Sequence, residues 1–348
     1  QVPSGASGAP VQGSLTGTDD AASADATVSA SLPVRSSGMA ARFATIEHGD
    51  VLASGNGLMT CPDSSTGCVD ARAGHGSRLD DGDHDMVAID VDADPATTNS
   101  SSASMACAGP DVMDATLYWG ADLSPGLRGE APADTGAVGH AVVVTPGGAR
   151  VEVDAERVDL VGSHYQAVVD ATALVRAGGA GTWTVGGIQL ATGRGNYAGW
   201  SLVVACQAPA APLRSLVIID GLSHVSSGSG VSLDVGGFSV PATGSAAATV
   251  TAVTYEGDAG LTGDQLSVSG RQVADGLNPL GNTFNSTLSD LGIRASGGLP
   301  HDANLFGFDV DRFDVSGALA PGATSTALDL TTADDEFFPG VVAFTVDQ

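Results

Sequence analysis

The sequence predicts an all-β protein: two β-sandwich or jelly-roll-like domains behind an extended N-terminal arm. Three observations carry that expectation. Forty-eight glycines and sixteen prolines in 348 residues, with Val, Thr and Ser throughout, suit many short strands joined by tight turns. No segment sustains a 3.6-residue apolar period beyond two or three turns. Apolar residues make up 43% of the chain and charged residues 15%, a composition that collapses into cores, and the length is enough for two ordinary domains.

The arm, residues 1–38, comes first. Residues 1–20 (QVPSGASGAPVQGSLTGTDD) read as a Gly/Ser/Pro linker. Residues 22–34 then alternate, with Ala22, Ala24, Ala26, Val28, Ala30, Leu32 and Val34 on one parity and mostly Ser, Thr and Asp on the other. That is the period of a half-buried strand, and no neighbouring segment claims it as a partner. Pro33 lacks an N–H and marks an edge.

The first domain is expected over 39–208. Met39–Ala53 reads as a strand pair turning at Gly49-Asp50, and residues 54–82 as a polar, turn-rich stretch. Strands follow at Met86–Val91, Ala115–Trp119, Ala141–Thr145, Val151–Val153, Ala167–Val169, Thr182–Ile188 and Ser201–Ala205, with a turn at Pro146-Gly147-Gly148. The break at Ala208–Pro212 (APAAP) is the expected boundary. The second domain, 212–348, is read as strands at Leu216–Ile219, Val231–Val235, Ala248–Tyr255, Leu266–Val268, Phe306–Val310, Ser325–Leu330 and Val341–Val346, with short helical turns at Gln272–Leu277 and Thr287–Leu291.

All thirteen basic residues are arginine, against forty acids, for a net charge of -27. Nucleic acid and anionic lipid surfaces are therefore poor partners, and neither is expected, since no basic patch can release counterions. The absence of lysine also rules out a Schiff base, a P-loop lysine and a Lys–Asn isopeptide crosslink. No apolar run is long enough for membrane insertion. Such an acidic surface suits an extracellular or high-salt setting. Gln1 in place of a starter Met suggests a removed secretory signal and an extracellular or cell-surface location. Four cysteines permit three pairings. We expect Cys61–Cys68, which brackets a six-residue turn (62–67, PDSSTG), and Cys107–Cys206.

The densest chemical cluster is Asp80, Asp81, Asp83 and Asp85 around Gly82 and His84, followed by Asp90, Asp92 and Asp94. Hard oxygen ligands at this density suit Ca²⁺, and the spacing at 90, 92 and 94 resembles the start of an EF-hand loop. Pro95 stands where that loop needs Gly, however, and Ser101 where it needs Glu. The competing reading is a solvated strand with Ile89 and Val91 turned inward. His75 and His84 match no zinc spacing and read as loop histidines at the surface. Trp119, Trp183 and Trp200, with Tyr118 and Tyr197, offer either a sugar-binding face or core packing; burial preference favours the core. There is no G-x-S-x-G elbow, no free Cys beside a His, and Glu256-Gly257-Asp258 has no defined carboxylate partner. No enzyme is expected. Asn285-Ser286-Thr287 matches a glycosylation acceptor.

Six stretches taken in order carry a resemblance: 99–103 (NSSSA), 115–123 (ATLYWGADL), 193–205 (GRGNYAGWSLVVA), 212–222 (PLRSLVIIDGL), 277–292 (LNPLGNTFNSTLSDLG) and 304–315 (NLFGFDVDRFDV). Together they resemble the N-terminal, non-repetitive region of large secreted bacterial surface proteins, which there precedes tandem immunoglobulin-like repeats. The resemblance covers roughly residues 80 to 348 and implies an exported, all-β, adhesive or structural role. No catalytic residue comes with it. Cys206 departs from the pattern, standing where an apolar or aromatic residue is expected.

Two functions are therefore expected. In the first, the chain is a subunit of an extracellular filament or surface layer. Its partners are copies of itself, with residues 22–34 added to the next subunit's sheet through Ala26, Val28, Ala30, Leu32 and Val34. In the second, it is a calcium-dependent adhesin or carbohydrate-binding module for host or cell-surface glycans.

Overall fold

A computed structural model describes residues 38–348 except Ala93. The candidate strand 22–34, and with it Ala26, Val28, Ala30, Leu32 and Val34, lies outside the described residues.

The first half of the chain forms β1 (Ala40–Gly57), β2 (Ser100–Met105), β3 (Val112–Asp122), β4 (His140–Val144), β5 (Arg150–Asp154), β6 (Arg157–Val161), β7 (His164–Asp170), β8 (Gly181–Gly186) and β9 (Ala198–Gln207). The second half forms β10 (Leu213–Asp220), β11 (Val231–Gly236), β12 (Ala248–Tyr255), β13 (Gln265–Val268), β14 (Leu288–Asp290), β15 (Phe308–Asp314), β16 (Ser325–Thr331) and β17 (Glu336–Asp347). Helix is confined to short pieces such as Cys68–Arg72 and Thr172–Gly178. Among the described residues no helix is long and apolar enough to cross a membrane. The protein is all-β.

One continuous sheet runs in the order β14-β15-β12-β17-β10-β1-β9-β3-β7-β6, and two smaller sheets, β2-β8-β4-β5 and β11-β16-β13, accompany it. Neighbours in all three are antiparallel except β14 and β15. Side-chain parity along the central strands shows how the layers stack. In β9, Trp200, Leu202 and Val204 enter a core shared with the β2-β8-β4-β5 sheet, while Val203 and Ala205 enter a middle core. In β10, Leu216 and Ile218 point into that same middle core, and Val217 and Ile219 into a third beneath β11-β16-β13. The large sheet therefore folds over on itself, with a small sheet packed on each outer face. Strands buried on both faces read as unbroken apolar runs (SLVVAC, SLVII), because neither parity meets water.

β1 makes the fold-over possible. Ala40–His48 pairs with β10, and Gly49–Gly57 pairs with β9. The expected strand pair turning at Gly49-Asp50 is thus one strand that changes partners there. Glycine is needed at 49 for close approach, since a Cβ would collide with the Cys206 carbonyl. Residues 208–212 do join the two halves, with Ala208 N–H donating to His48 O and His48 Nδ1 bonded to Ala211 O. Yet Ala40–His48, assigned by sequence to the first domain, is hydrogen-bonded into the second half's sheet, and the halves share the middle core. The sandwiches are fused.

The expected helical turn at Thr287–Leu291 is instead strand β14, and Gln272–Leu277 is not helical. Short-range polarity misled there: Thr287 and Ser289 turn inward and bond Asp311 (2.6 Å from Ser289 Oγ) rather than facing water. The disulfides are Cys61–Cys68 and Cys107–Cys206. Two such bonds suit an oxidising, extracellular setting.

Candidate functional site

At one end of the molecule a loop of the first half meets two loops of the second. The first contributes Asp80-Asp81, at the start of the 3-10 turn Asp81–Asp83. The second follows β12 directly and carries Glu256, Gly257 and Asp258. The third leads into β17 and carries Asp335. Two contacts join the first loop to the second: Asp81 N–H donates to Asp258 Oδ1 (3.4 Å) and Gly260 N–H to Asp80 Oδ1 (2.5 Å); Asn304, in the segment before β15, adds a bond from its Nδ2 to Leu79 O (2.7 Å).

Oxygens of Asp81, Glu256 and Asp258 converge to within 4.8 Å of one another. Asp81 and Asp258 are only 2% and 4% exposed. Asp81 Oδ2 and Glu256 Oε2 are buried and meet no hydrogen-bond donor. Glu256 has a φ of 74°, a left-handed conformation that is costly for a non-glycine residue and persists only where surrounding contacts fix it. Asp335 Oδ2 and Asn282 Oδ1, both buried close by, also lack a donor; Asn282 is anchored by its Nδ2 on Asp258 O (3.3 Å).

Burial dominates the electrostatics. It pushes Asp81 up to about 7, helped by Asp80 and Asp335 and opposed by the Gly82 N–H. Burial and then Asp81 hold both Glu256 and Asp258 well above the usual carboxylate range. Asp335 rises to about 6.

Of the seven aspartates singled out in the sequence, Asp81 alone belongs to this convergence, Asp80 flanks it, and Asp94 pairs with Arg150 (2.6 Å). The others are engaged locally. Asp83 closes a capping box with Asp80, and Asp85 pairs with Arg194 (2.9 Å) and Arg128 (3.1 Å), which lower its pKa. Asp90 accepts from Ser100 Oγ (2.8 Å), while Asp92 accepts from Asp94 N–H (2.8 Å) and Thr97 Oγ1 (3.1 Å). The 80–92 run is therefore not one ligand set. Glu256 and Asp258 have no carboxylate partner nearby in the sequence; Asp81, which the fold brings to them, lies 177 positions away from Asp258. The clue was two acids flanking a glycine at a strand end.

His84 is fully buried rather than at the surface. Both its nitrogens are occupied, Nδ1 by Ser65 Oγ (2.8 Å) and Nε2 by Arg78 O (3.0 Å), so the ring buttresses the 3-10 turn. Trp119, Trp183 and Trp200 all lie in the first core, and Tyr118 and Tyr197 are buried too. Asn285 spends its amide on Leu277 O (2.9 Å), and Ser286 and Thr287 are buried.

A second feature lies around Gly38, where the described chain begins. Gly38 lines a groove of about 610 Å³ together with Leu160, Val161, Leu222, His224 and Val231. Among the described residues, β6, which holds Leu160, pairs with β7 alone, and β11, which Val231 opens, pairs with β16 alone. The groove is thus flanked by two strands that each have one partner among the described residues, and Leu160 is 63% exposed.

No protein-family model and no curated protein matches this chain. Among solved structures, it is similar to a BuGH86 variant in complex with neoagarooctaose, at 13% identity and a TM-score of 0.26, covering 68% of this chain and 28% of that one. It is similar to the same degree to a β-porphyranase of glycoside hydrolase family 86 from the human gut bacterium Bacteroides plebeius, at 13% identity and a TM-score of 0.26, covering 69% and 30%. The chain spans under a third of the length of these neighbours. Likenesses this slight carry no functional argument.

Proposed function

We propose that this chain is a non-catalytic structural subunit of an extracellular filament or surface layer. It assembles by adding residues 22–34 as a strand to a neighbouring copy. The observation that carries this reading is the groove at Gly38. The alternating segment ends at Val34, four residues from Gly38, a reach of roughly 13 Å in extended chain. The groove is flanked by β6 and β11, which each have one partner among the described residues, and a strand edge of this kind templates strand addition. The alternation supplies the register, with Val28, Leu32 and Val34 as anchors among small alanines. The resemblance to secreted bacterial surface proteins and the two disulfides support an exported structural role. Burial of all three tryptophans supports it over glycan binding, which would lack an aromatic platform.

Removing residues 1–37 tests it. The full chain forms multimers or filaments by electron microscopy and light scattering, and the truncated chain is monomeric with unchanged circular dichroism. Filaments from the truncated chain would sink the proposal.

A further inference from the structure

Three carboxylates packed to within 4.8 Å of one another, with two of the side chains nearly inaccessible, cannot all be ionised without a compensating charge. The usual remedy is an arginine or histidine. Here the nearest histidine in sequence, His84, has both ring nitrogens bonded elsewhere. Among the described residues, the ion pairs that arginines form go to other acids, such as Asp85, Asp50 and Asp220. Oxygens left without a donor, Asp81 Oδ2 and Glu256 Oε2, lie buried. Unpaired buried acceptors are rare and call for an explanation.

We propose that Asp81, Glu256 and Asp258 form a calcium site that clamps the first half of the chain to the second. Three carboxylates offer up to six oxygens, within the six to eight that Ca²⁺ takes, and all are hard donors without nitrogen or sulfur. That donor set disfavours zinc and copper. Asp335 Oδ2 and Asn282 Oδ1, buried nearby and without donors, are the protein groups placed to complete the shell. The ligands come from two loops far apart in sequence, so the cation holds the 80–84 turn against the loop after β12. The three ligands line no part of the groove at Gly38, and the site stands or falls independently of strand addition.

The test uses the full chain, stripped with EGTA and titrated with CaCl₂ by calorimetry, with terbium luminescence in parallel. We expect one high-affinity Ca²⁺ per chain and a rise in melting temperature of several degrees in 1 mM Ca²⁺. Mg²⁺ at the same concentration gives a clearly smaller rise. Asp258→Asn and Glu256→Gln abolish both responses. Because each relieves buried like-charge repulsion, each variant melts no lower than wild type in EGTA, which separates lost binding from lost folding. Asp85→Asn and Asp92→Asn keep the Ca²⁺ response. No Ca²⁺ binding by wild type, a response confined to Zn²⁺, or a full Ca²⁺ response in Asp258→Asn would each overturn the assignment.

Discussion

The Tyr118 hydroxyl donates to Asp220 Oδ2 at 3.2 Å, joining β3 to β10 between residues 102 positions apart. Arg157 on β6 reaches Asp220 Oδ1 at 2.9 Å, and Arg42 on β1 approaches Oδ2 at 3.5 Å. Four strands of the folded-over sheet thus meet at one buried carboxylate. Burial, and then the Asp220 charge, hold the Tyr118 phenol well above its ordinary pKa, so it remains a donor.

Replacing Asp220 by Ala leaves two guanidinium groups without their shared acceptor. The expected loss is about 3 kcal/mol, the lower end of the range for breaking a buried pair, because Glu156 and Asp159 still serve Arg42 and Arg157. Tyr118→Phe removes one hydrogen bond and costs about 1 kcal/mol. Urea denaturation of both variants measures the difference; equal costs would refute the hub role of Asp220.

The two disulfides differ in the loop they close. Cys107 and Cys206 are 99 positions apart, and Cys61 and Cys68 only 7. Loop-closure entropy then gives about 4.7 kcal/mol for the long loop and about 2.5 kcal/mol for the short one. Paired Cys→Ser replacements, compared by denaturation, rank in that order.

Asp311 is fully buried, accepts from Ser289 and Thr287, and is pushed up to about 7 by burial and then Asp275; Asp309 lies beside it. The folded state therefore holds a proton that the unfolded chain releases near pH 4. Between these values the folded state binds more protons, so stability falls as pH rises. Asp311→Asn removes this contribution. Melting temperatures from pH 4.5 to 8 should show the variant gaining on wild type as pH increases.

Gly199 of β9 lies under the Phe308 ring, where a Cβ would overlap the ring carbons. Gly199→Ala should cost about 1–3 kcal/mol through overpacking. Gly276 has nothing within 4 Å of its Cβ position, and Gly276→Ala should stay within about 0.5 kcal/mol. Thermal melts of the two variants distinguish a packing effect from a general glycine effect.

The all-β class, most strands and the cysteine partners were legible in the sequence, because alternation, turn residues and loop spacing are local. Where the reading failed, a local signal had a distant cause. Gly49 looked like a turn but serves the approach of the Cys206 carbonyl. Thr287 and Ser289 looked solvent-facing but satisfy Asp311. Asp90 and Asp92 looked like ligands but hold their own loop. The motif-like stretches 277–292 and 304–315 contain many of the buried polar residues, including Asn278, Thr287, Ser289, Asp309 and Asp311.

By itself, then, the sequence determined that this chain folds into strands, bears a net charge of -27, and carries an alternating segment in its arm. Only the tertiary structure decided that the two sandwiches share a strand and a core, and that Asp81 meets Glu256 and Asp258. Periodicity and composition report the preferences of neighbouring residues. Which loops converge depends on how the large sheet folds over, and that is set by packing on both faces of strands whose partners lie a hundred or more residues away.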